Sequence, residues 1–266
     1  MILVRGGGDL ASGVIYRLYQ AGMQVVVTEL PQPLVVRRLV SFAEAVYQKE
    51  HSVEGVPSRL ANDCEEALAL LKKRIIPVLI DPAARCREAL RTIVLVDGRM
   101  TKQPPELGIE AAPLVIGLGP GFIAGENCHA VIETNRGHTL GRVIWQGRAE
   151  ADTGLPEAVF RRQADRVLRA PRAGKLQAFA EIGERLKTGQ KIAEIEGEPI
   201  LAPFEGVLRG IIHPGSFVGE GTKVGDLDPR NDPRFCRLIS EKSLAVGGGV
   251  LEAILTRPEI RRQLWN

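Results

Sequence analysis

The stretch Ile2-Leu3-Val4-Arg5-Gly6-Gly7-Gly8-Asp9-Leu10-Ala11 joins an apolar run to a glycine-rich turn and then to a helical pattern. Gly6, Gly8 and Ala11 fit the G-x-G-x-x-G/A spacing, whose small residues permit a sharp turn, a close approach of the backbone to phosphate, and tight helix–strand contact. A second apolar run ends at Glu29, 21 residues after Gly8, where an acidic side chain would bind a ribose hydroxyl. The stretch therefore predicts a nucleotide-binding β-α-β unit, with an ordinary glycine-rich turn as the alternative.

Apolar runs and helical patterns alternate through the first 150 or so residues. The runs are continuous rather than alternating, which is typical of parallel strands covered on both faces. Apolar spacing of three to four predicts helices over residues 35–47 and 64–71. Ligands of open α/β sheets bind beyond the carboxyl ends of strands, where this chain places Asp97-Gly98 and other polar or glycine-rich pairs. The six runs cover residues 2–4, 24–28, 75–80, 92–96, 114–116 and 130–134.

We expect the ligand contacts to come from two glycine-rich loops and the polar groups beside them. The helix after the first loop presents unpaired N–H groups and a partial positive charge, which favour an anion, although Asp9 would repel phosphate and can instead cap the helix. The second loop can add amides or be a tight turn. Arg136 and His138 can bind a ligand or lie in solvent. The predicted cofactor-binding residues are Gly6, Gly7, Gly8, Asp9, Leu10, Ala11, Glu29, Gly117, Gly119, Gly121, Arg136 and His138.

Composition excludes several classes of protein. The 266 residues are 44% hydrophobic and 25% charged, as in ordinary globular proteins, and a net charge of +3 without long basic runs argues against nucleic-acid binding. No apolar stretch is long enough to span a membrane and Met1 leads directly into a strand, so we expect a cytoplasmic protein without a signal peptide. The four cysteines form no C-x-x-C pair, and no metal site is predicted. Cys128 is the first thiol to test for reactivity.

Residues 168–228 contain an internal repeat. Seven positions from Gly174 to Ile195 recur 32 residues later, from Gly206 to Leu227, and six of the seven pairs keep their residue type. The sequence around Glu181 to Gly206 resembles the biotinyl/lipoyl barrel-sandwich family, which carries a modifiable lysine on the hairpin between its halves. Here that hairpin reads Glu194-Ile195-Glu196-Gly197-Glu198-Pro199 and contains no lysine. A docking or lid module is therefore expected.

The chain as a whole resembles the selenium-dependent molybdenum hydroxylase accessory protein family, a distant relative of xanthine dehydrogenase accessory proteins. The resemblance rests on segments 4–13, 37–47, 53–56, 117–122 and 247–254. It implies a maturation factor that binds a molybdopterin-type or other nucleotide cofactor, and whose partners are a molybdenum hydroxylase subunit or cofactor-assembly proteins. It implies no catalytic residue.

The predicted fold class is α/β. A Rossmann-like parallel-sheet domain spans residues 1–165, a barrel-sandwich domain without the modifiable lysine spans 168–230, and a C-terminal helical segment spans 231–266. In that segment the triplet Gly247-Gly248-Gly249 is expected to precede a packed helix as a flexible connection, with an anion site as the alternative. Two further functions stay open, an NAD(P)-dependent oxidoreductase and a non-catalytic docking protein. Homo-oligomer formation is also left open.

Overall fold

The computed structural model describes residues 1–151 and 165–264, and the chain divides into two compact units. The first unit comprises residues 1–33, 41–152 and 239–266, and the second comprises 34–40 and 153–238. Residues 152–164, at the end of the first predicted domain, lie outside the described residues. Among the described helices, none has the length and apolarity needed to cross a membrane.

The first unit is built on a nine-stranded sheet with the order β10-β9-β7-β6-β1-β2-β5-β4-β3. Its strands are β1 (Ile2–Arg5), β2 (Val25–Glu29), β3 (Glu50–Val53), β4 (Val56–Ala61), β5 (Ile76–Ile80), β6 (Val94–Asp97), β7 (Leu114–Leu118), β9 (Ala130–Ile132) and β10 (Val143–Ile144); β8 (Ile123–Ala124) and β11 (Gly147–Arg148) form a separate pair. Its helices are α1 (Asp9–Gln20), α2 (Ala45–Gln48), α3 (Cys64–Lys72), α4 (Cys86–Ala89), α5 (Glu241–Leu255) and α6 (Pro258–Leu264), with 3-10 turns at Phe42–Glu44 and Ile109–Ala111.

The sheet is mixed. Seven strands from β9 to β4 run parallel, while β10 and β3 pair antiparallel with their neighbours at the two edges. Each of the six apolar runs overlaps a strand. The chain leaves β1 toward β2 and β5, then returns to the other side of β1 with β6 and β7. The strand order therefore reverses between β1 and β6, which is where open α/β sheets bind ligands.

Helices α1 and α5 of the first unit pack closely against each other. A Cβ on Gly13 of α1 would overlap the Ser243 carbonyl, and one on Gly247 would lie 2.5 Å from the Gly13 carbonyl oxygen. Glycines therefore let the two backbones approach each other. The expectation that the triplet 247–249 precedes a helix is wrong, because α5 begins earlier, where the Ser240 hydroxyl accepts the Ser243 N–H as an N-cap.

The predicted helix over residues 35–47 is also wrong. Residues 38–40 and 42–44 form two 3-10 turns and only Ala45–Gln48 is α-helical. Residues 34–40 belong to the second unit and residues 41–48 to the first. The apolar residues of this segment therefore belong to two different units, although their spacing is that of one helix face.

The second unit consists of two antiparallel four-stranded sheets, with orders β12-β19-β17-β14 and β16-β15-β13-β18. The two repeat copies exchange strands: β14 of the first copy pairs with β17 of the second, and β18 of the second pairs with β13 of the first. The strands are β12 (Val167–Arg169), β13 (Gly174–Ala178), β14 (Arg185–Leu186), β15 (Lys191–Ile195), β16 (Glu198–Leu201), β17 (Gly206–Ile211), β18 (Phe217–Val218) and β19 (Lys223–Asp228), with 3-10 turns at Arg38–Val40 and Pro233–Cys236.

The predicted fold class is contradicted. The main sheet is mixed rather than parallel, because β3 and β10 close its edges with antiparallel pairs. The all-β part includes residues 34–40 from the N-terminal region, so it is not a sequence-contiguous module. The C-terminal residues from Ile239 onward belong to the first unit, where α5 packs on α1, so they are not a separate helical segment.

The glycines of α5 provide a matched test of how closely this helix packs within the first unit. Gly249→Ala should lower the free energy of unfolding by about 3 kcal/mol, because its Cβ would overlap the Gly141 carbonyl oxygen. Gly248→Ala, where no atom lies within 4 Å of the new Cβ, should raise it by about 0.8 kcal/mol through helix propensity. Urea unfolding followed by circular dichroism measures both. Equal effects of the two substitutions would contradict the close packing of α5.

Candidate functional site

The first glycine-rich loop is closed by its own chain. The Gly6 N–H donates to the Thr28 carbonyl at 2.8 Å, and the Gly7 N–H donates to Glu29 Oε1 at 2.6 Å. The Gly7 carbonyl accepts the Ala43 N–H at 2.9 Å, and a Cβ on Gly7 would lie 2.8 Å from that nitrogen. The 3-10 turn at residues 42–44 thus covers the loop. The amides of Gly6 and Gly7 are not free for phosphate.

The Glu29 carboxylate binds backbone amides of its own chain rather than presenting a free oxygen to a ribose. Its second carboxylate oxygen accepts the Leu30 N–H at 2.8 Å, and the residue is only 8% exposed. Burial raises the pKa of Glu29, while the backbone hydrogen bonds from Gly7 and Leu30 lower it. Both carboxylate oxygens of Glu29 therefore accept hydrogen bonds from backbone amides. This argues against the nicotinamide dinucleotide site that the spacing of Gly8 and Glu29 suggested.

The other residues of this loop face α5 and β6. Asp9 lies in the first turn of α1, and its carboxylate accepts the Ser243 hydroxyl at 3.3 Å. Ala11 is buried, and a Cβ on Gly98 would lie 2.8 Å from the Ala11 Cβ. Gly8 is the N-cap of α1, and Leu10 in the first turn of that helix is half-buried.

The second glycine-rich loop packs against the segment that follows β6. A Cβ on Gly119 would lie 3.1 Å from the Met100 sulfur, and one on Gly121 would overlap the Thr101 carbonyl oxygen. A Cβ on Gly117 would overlap the Phe122 ring. These glycines therefore make room for protein atoms. Since a Cβ on Gly6 would also lie 3.2 Å from Arg99 Cγ, residues 99–101 contact both glycine-rich loops.

Arg136 and His138 lie on the surface beyond β9. Arg136 forms an ion pair of 2.9 Å with Glu241, and both side chains are well exposed. His138 is exposed, and its carbonyl oxygen accepts a hydrogen bond from Arg142. Both predicted residues therefore lie at the surface, where Arg136 contacts the first turn of α5 through Glu241.

An arginine pair, Arg5 and Arg99, stands where the strand order reverses. Arg5 ends β1 with its side chain 5% exposed and donates two hydrogen bonds to the Pro82 carbonyl, at 3.0 Å and 2.7 Å. Asp97, which ends β6 and is 3% exposed, accepts from Arg99 at 2.9 Å and 2.7 Å and lies 3.5 Å from Arg5. One buried carboxylate thus holds both guanidinium groups.

Glu106 completes the cluster from an exposed loop. Its carboxylate contacts Arg5 Nη1 at 3.0 Å and Arg99 at 3.3 Å and 2.8 Å, yet its side chain is 68% exposed. The hydrogen bonds from Arg99 lower the pKa of Glu106 to about 2. Burial alone would lower the pKa of Arg99, but its bonds to Asp97 and Glu106 raise it. Glu106 and Arg99 are therefore both charged at neutral pH.

Sequence reasoning noted Asp97 but did not identify Arg5, Arg99 or Glu106. A basic residue ending the apolar run Ile2-Leu3-Val4 was the available signal, because a buried arginine requires a partner. That partner lies 92 residues away, and Glu106 lies 101 residues away. Periodicity cannot predict contacts at that separation.

Two buried cysteines, Cys128 and Cys86, have thiols of raised pKa. Cys128 is fully buried, and burial raises the pKa of its thiol to about 11. Burial likewise raises the pKa of Cys86, as does its hydrogen bond to Asp81. Both thiols are protonated at neutral pH and pack in the core of the first unit.

Comparisons with known proteins identify one extensive sequence relative. Over 255 residues the chain is 44% identical to the uncharacterized protein YqeB of Escherichia coli strain K12, an alignment that covers 96% of this chain and 47% of YqeB. The chain therefore spans about half the length of this curated relative. No protein-family model matches.

Solved structures give only weak likenesses. An aspartoacylase family protein from Mesorhizobium loti is 11% identical, with 85% of this chain and 84% of that one covered and a TM-score of 0.27. EutE (DoeB), an ectoine utilization protein from Ruegeria pomeroyi, is 10% identical with 85% of each chain covered and a TM-score of 0.24. A succinylglutamate desuccinylase/aspartoacylase from Rhodobacter sphaeroides is 26% identical over 25% of this chain and 22% of that one, with a TM-score of 0.23. TM-scores this low indicate neither the fold nor the substrate of this chain.

These findings contradict the resemblance to the selenium-dependent molybdenum hydroxylase accessory family. The extensive sequence relative is described only as an uncharacterized protein, and no model of such an accessory family matches the chain. The functions expected from that resemblance are contradicted as well. They are the maturation role, the molybdopterin or nucleotide cofactor at the first loop, and the oxidoreductase and docking alternatives. The closed loop agrees with this correction, because Glu29 and Ala43 occupy the polar groups of Gly7.

The arginine cluster predicts unequal effects for its two acids. Asp97→Asn should lower the free energy of unfolding by about 3 kcal/mol, because it leaves the buried Arg5 guanidinium without its buried counter-charge. Glu106→Gln should change it by less than about 1 kcal/mol, since that carboxylate is largely exposed. Urea unfolding of both variants tests this order. A Glu106→Gln loss as large as that of Asp97→Asn would contradict it.

Proposed function

We propose that this protein binds a small molecule through a carboxylate or phosphate group held between Arg5 and Arg99, and that Glu106 takes the position of that group when the ligand is absent. The observation that carries the proposal is the exposed Glu106 carboxylate on two guanidinium groups, one of them 5% exposed. An oxyanion of the ligand would accept the same hydrogen bonds. Planar guanidinium groups suit carboxylate and phosphate oxygens in this way.

The location of the arginine pair supports the proposal. Arg5 ends β1, and Arg99 follows β6, the neighbouring strand on the opposite side from β2. Open α/β sheets bind ligands beyond the carboxyl ends of the strands at this reversal of strand order. Both glycine-rich loops lie beside the segment that begins at Arg99, so the ligand would contact their outer surface rather than the closed amides of Gly6 and Gly7.

The two acids of the cluster also differ in burial, and a binding site needs this difference because one acid must stay in place while the other makes way for the ligand. Asp97 is buried and holds Arg99 through two hydrogen bonds, so the guanidinium group is oriented before a ligand arrives. Glu106 is exposed, so its carboxylate can leave for water at little cost. A carboxylate on a short tether competes at an effective concentration on the order of millimolar, so its removal should strengthen ligand binding.

Titration calorimetry with inorganic phosphate and with acetate tests the proposal at fixed ionic strength. Glu106→Gln should bind at least one of the two anions about tenfold more tightly than the wild type, because the internal competitor is lost. Arg99→Gln should bind about tenfold more weakly, because a neutral amide replaces the guanidinium group. The anion that binds better indicates whether the ligand carries phosphate or carboxylate.

Glu126→Gln is the matched control. Glu126 is an exposed glutamate of the same unit whose side chain forms no hydrogen bond or ion pair among the described residues, so this variant removes one negative charge away from the arginine pair. It should bind both anions as the wild type does, apart from a small general charge effect. The proposal fails if Glu106→Gln binds no more tightly than Glu126→Gln, or if Arg99→Gln keeps the wild-type affinity.

A further inference from the structure

The sheet β16-β15-β13-β18 of the second unit exposes large apolar side chains. Phe217 of β18 is 62% exposed, Phe179 directly after β13 is 51% exposed, and Leu201 of β16 is 47% exposed. Single exposed apolar side chains are ordinary on a protein surface, but several that share one surface indicate a site of interaction. The question is therefore whether these three side chains share a face.

The strand register places them on one face of the sheet. Lys175 of β13 is the cross-strand partner of Phe217, and Lys191 of β15 is the partner of Leu201. The Lys191 ammonium group lies 4.1 Å from the centroid of the Phe179 ring. Cross-strand partners project to the same side of a sheet, as do alternate residues of one strand. This surface, which we call the phenylalanine face, consists of Lys175, Gln177, Phe179, Lys191, Glu194, Pro199, Leu201 and Phe217.

The opposite face of the same sheet already has its packing partners. Leu176, Ile195, Ile200 and Val218 project to that side and are buried in the core of the second unit. A sheet with one face on the core usually exposes polar residues on the other. The two phenylalanines and the leucine depart from this pattern, so the phenylalanine face has the composition of a surface that packs against another one.

The edges of this sheet are unsuited to the addition of another strand. The edge strand β16 contains Pro199, which has no N–H to donate, and the other edge strand, β18, has two residues. Proline and short edge strands protect a sheet from pairing with another chain. A partner would therefore pack on the phenylalanine face rather than extend the sheet.

The charges of the phenylalanine face are of both signs. Glu194 forms an ion pair of 2.6 Å with Lys191, and the exposed Lys175 ammonium group forms no ion pair among the described residues. A strongly basic partner would meet two lysines, and a strongly acidic partner would meet Glu194. A second copy of the same face supplies an acid, cations and apolar side chains together, as a two-fold symmetric contact requires.

We propose that two copies of this chain pack against each other through the phenylalanine face. Phe179 and Phe217 of each copy would be buried against the other copy, and Lys175 of each would lie near the Glu194 carboxylate of the other. The face has eight residues, against about 20 to 30 on each side of a standard interface. We therefore expect a weak dimer, with a dissociation constant on the order of 10 μM.

Sedimentation velocity of the 266-residue chain over a series of concentrations tests the dimer. The double variant Phe179→Ser, Phe217→Ser should associate at least about tenfold more weakly than the wild type, because both rings are removed from the contact. Leu68→Ser, which changes an exposed leucine of α3 in the first unit, is the matched control and should associate as the wild type does. The inference is overturned by a wild type that stays monomeric at about 100 μM, tenfold above the expected constant, or by wild-type association of the double variant.

Cross-linking locates the contact on the phenylalanine face. Gln177→Cys places a thiol in the middle of the face, and packed sheets lie about 10 Å apart, so a bifunctional maleimide of about that span should link two copies. Arg148→Cys, at an exposed position of the first unit, should give no more linked dimer than the four native cysteines of the wild type give. Dimers in sedimentation that do not link through residue 177 would place the contact elsewhere and overturn the inference.

Discussion

The buried guanidinium group of Arg5 is the constraint on which the carboxyl edge of the main sheet depends. It lies at the end of a central strand between β2 and β6, where an isolated charge would be strongly destabilising. The Pro82 carbonyl after β5, Asp97 at the end of β6 and Glu106 in the loop after β6 satisfy it. Since each of these contacts crosses at least 77 residues of sequence, the Arg5 side chain fixes the loops that follow β5 and β6 relative to β1.

At the same edge, a sequence with the spacing of a nucleotide-binding loop folds without leaving that loop open to a nucleotide. Glu29 stands at the end of β2 as the spacing predicts, but its oxygens accept backbone amides of Gly7 and Leu30. The turn at residues 42–44 then covers the loop and donates to the Gly7 carbonyl. The amides of Gly6 and Gly7 are therefore used in folding, and the proposed site lies instead at the guanidinium groups of Arg5 and Arg99.

Sequence patterns predicted the strands better than the connections. Continuous apolar runs identified six strands, because strands buried on both faces contain few polar residues. Strands β3 and β4 were missed because they contain polar residues and form no continuous apolar run, and the segment 35–47 was predicted as one helix although its residues belong to two units. The closure of the first loop could not be predicted, because it depends on Ala43 returning to Gly7. The pairing of Arg5 with Glu106 likewise depends on distant loops meeting at the strand reversal.

The central claim is that the Glu106 carboxylate occupies an oxyanion position between Arg5 and Arg99 and can be displaced. The most direct measurement is a pair of crystal structures of the wild-type protein at pH 7, one grown with inorganic phosphate and one without it. With phosphate, the account predicts a phosphate oxygen within about 3 Å of both guanidinium groups and the Glu106 side chain turned toward solvent. A Glu106 carboxylate still paired with both arginines at saturating phosphate would contradict the account.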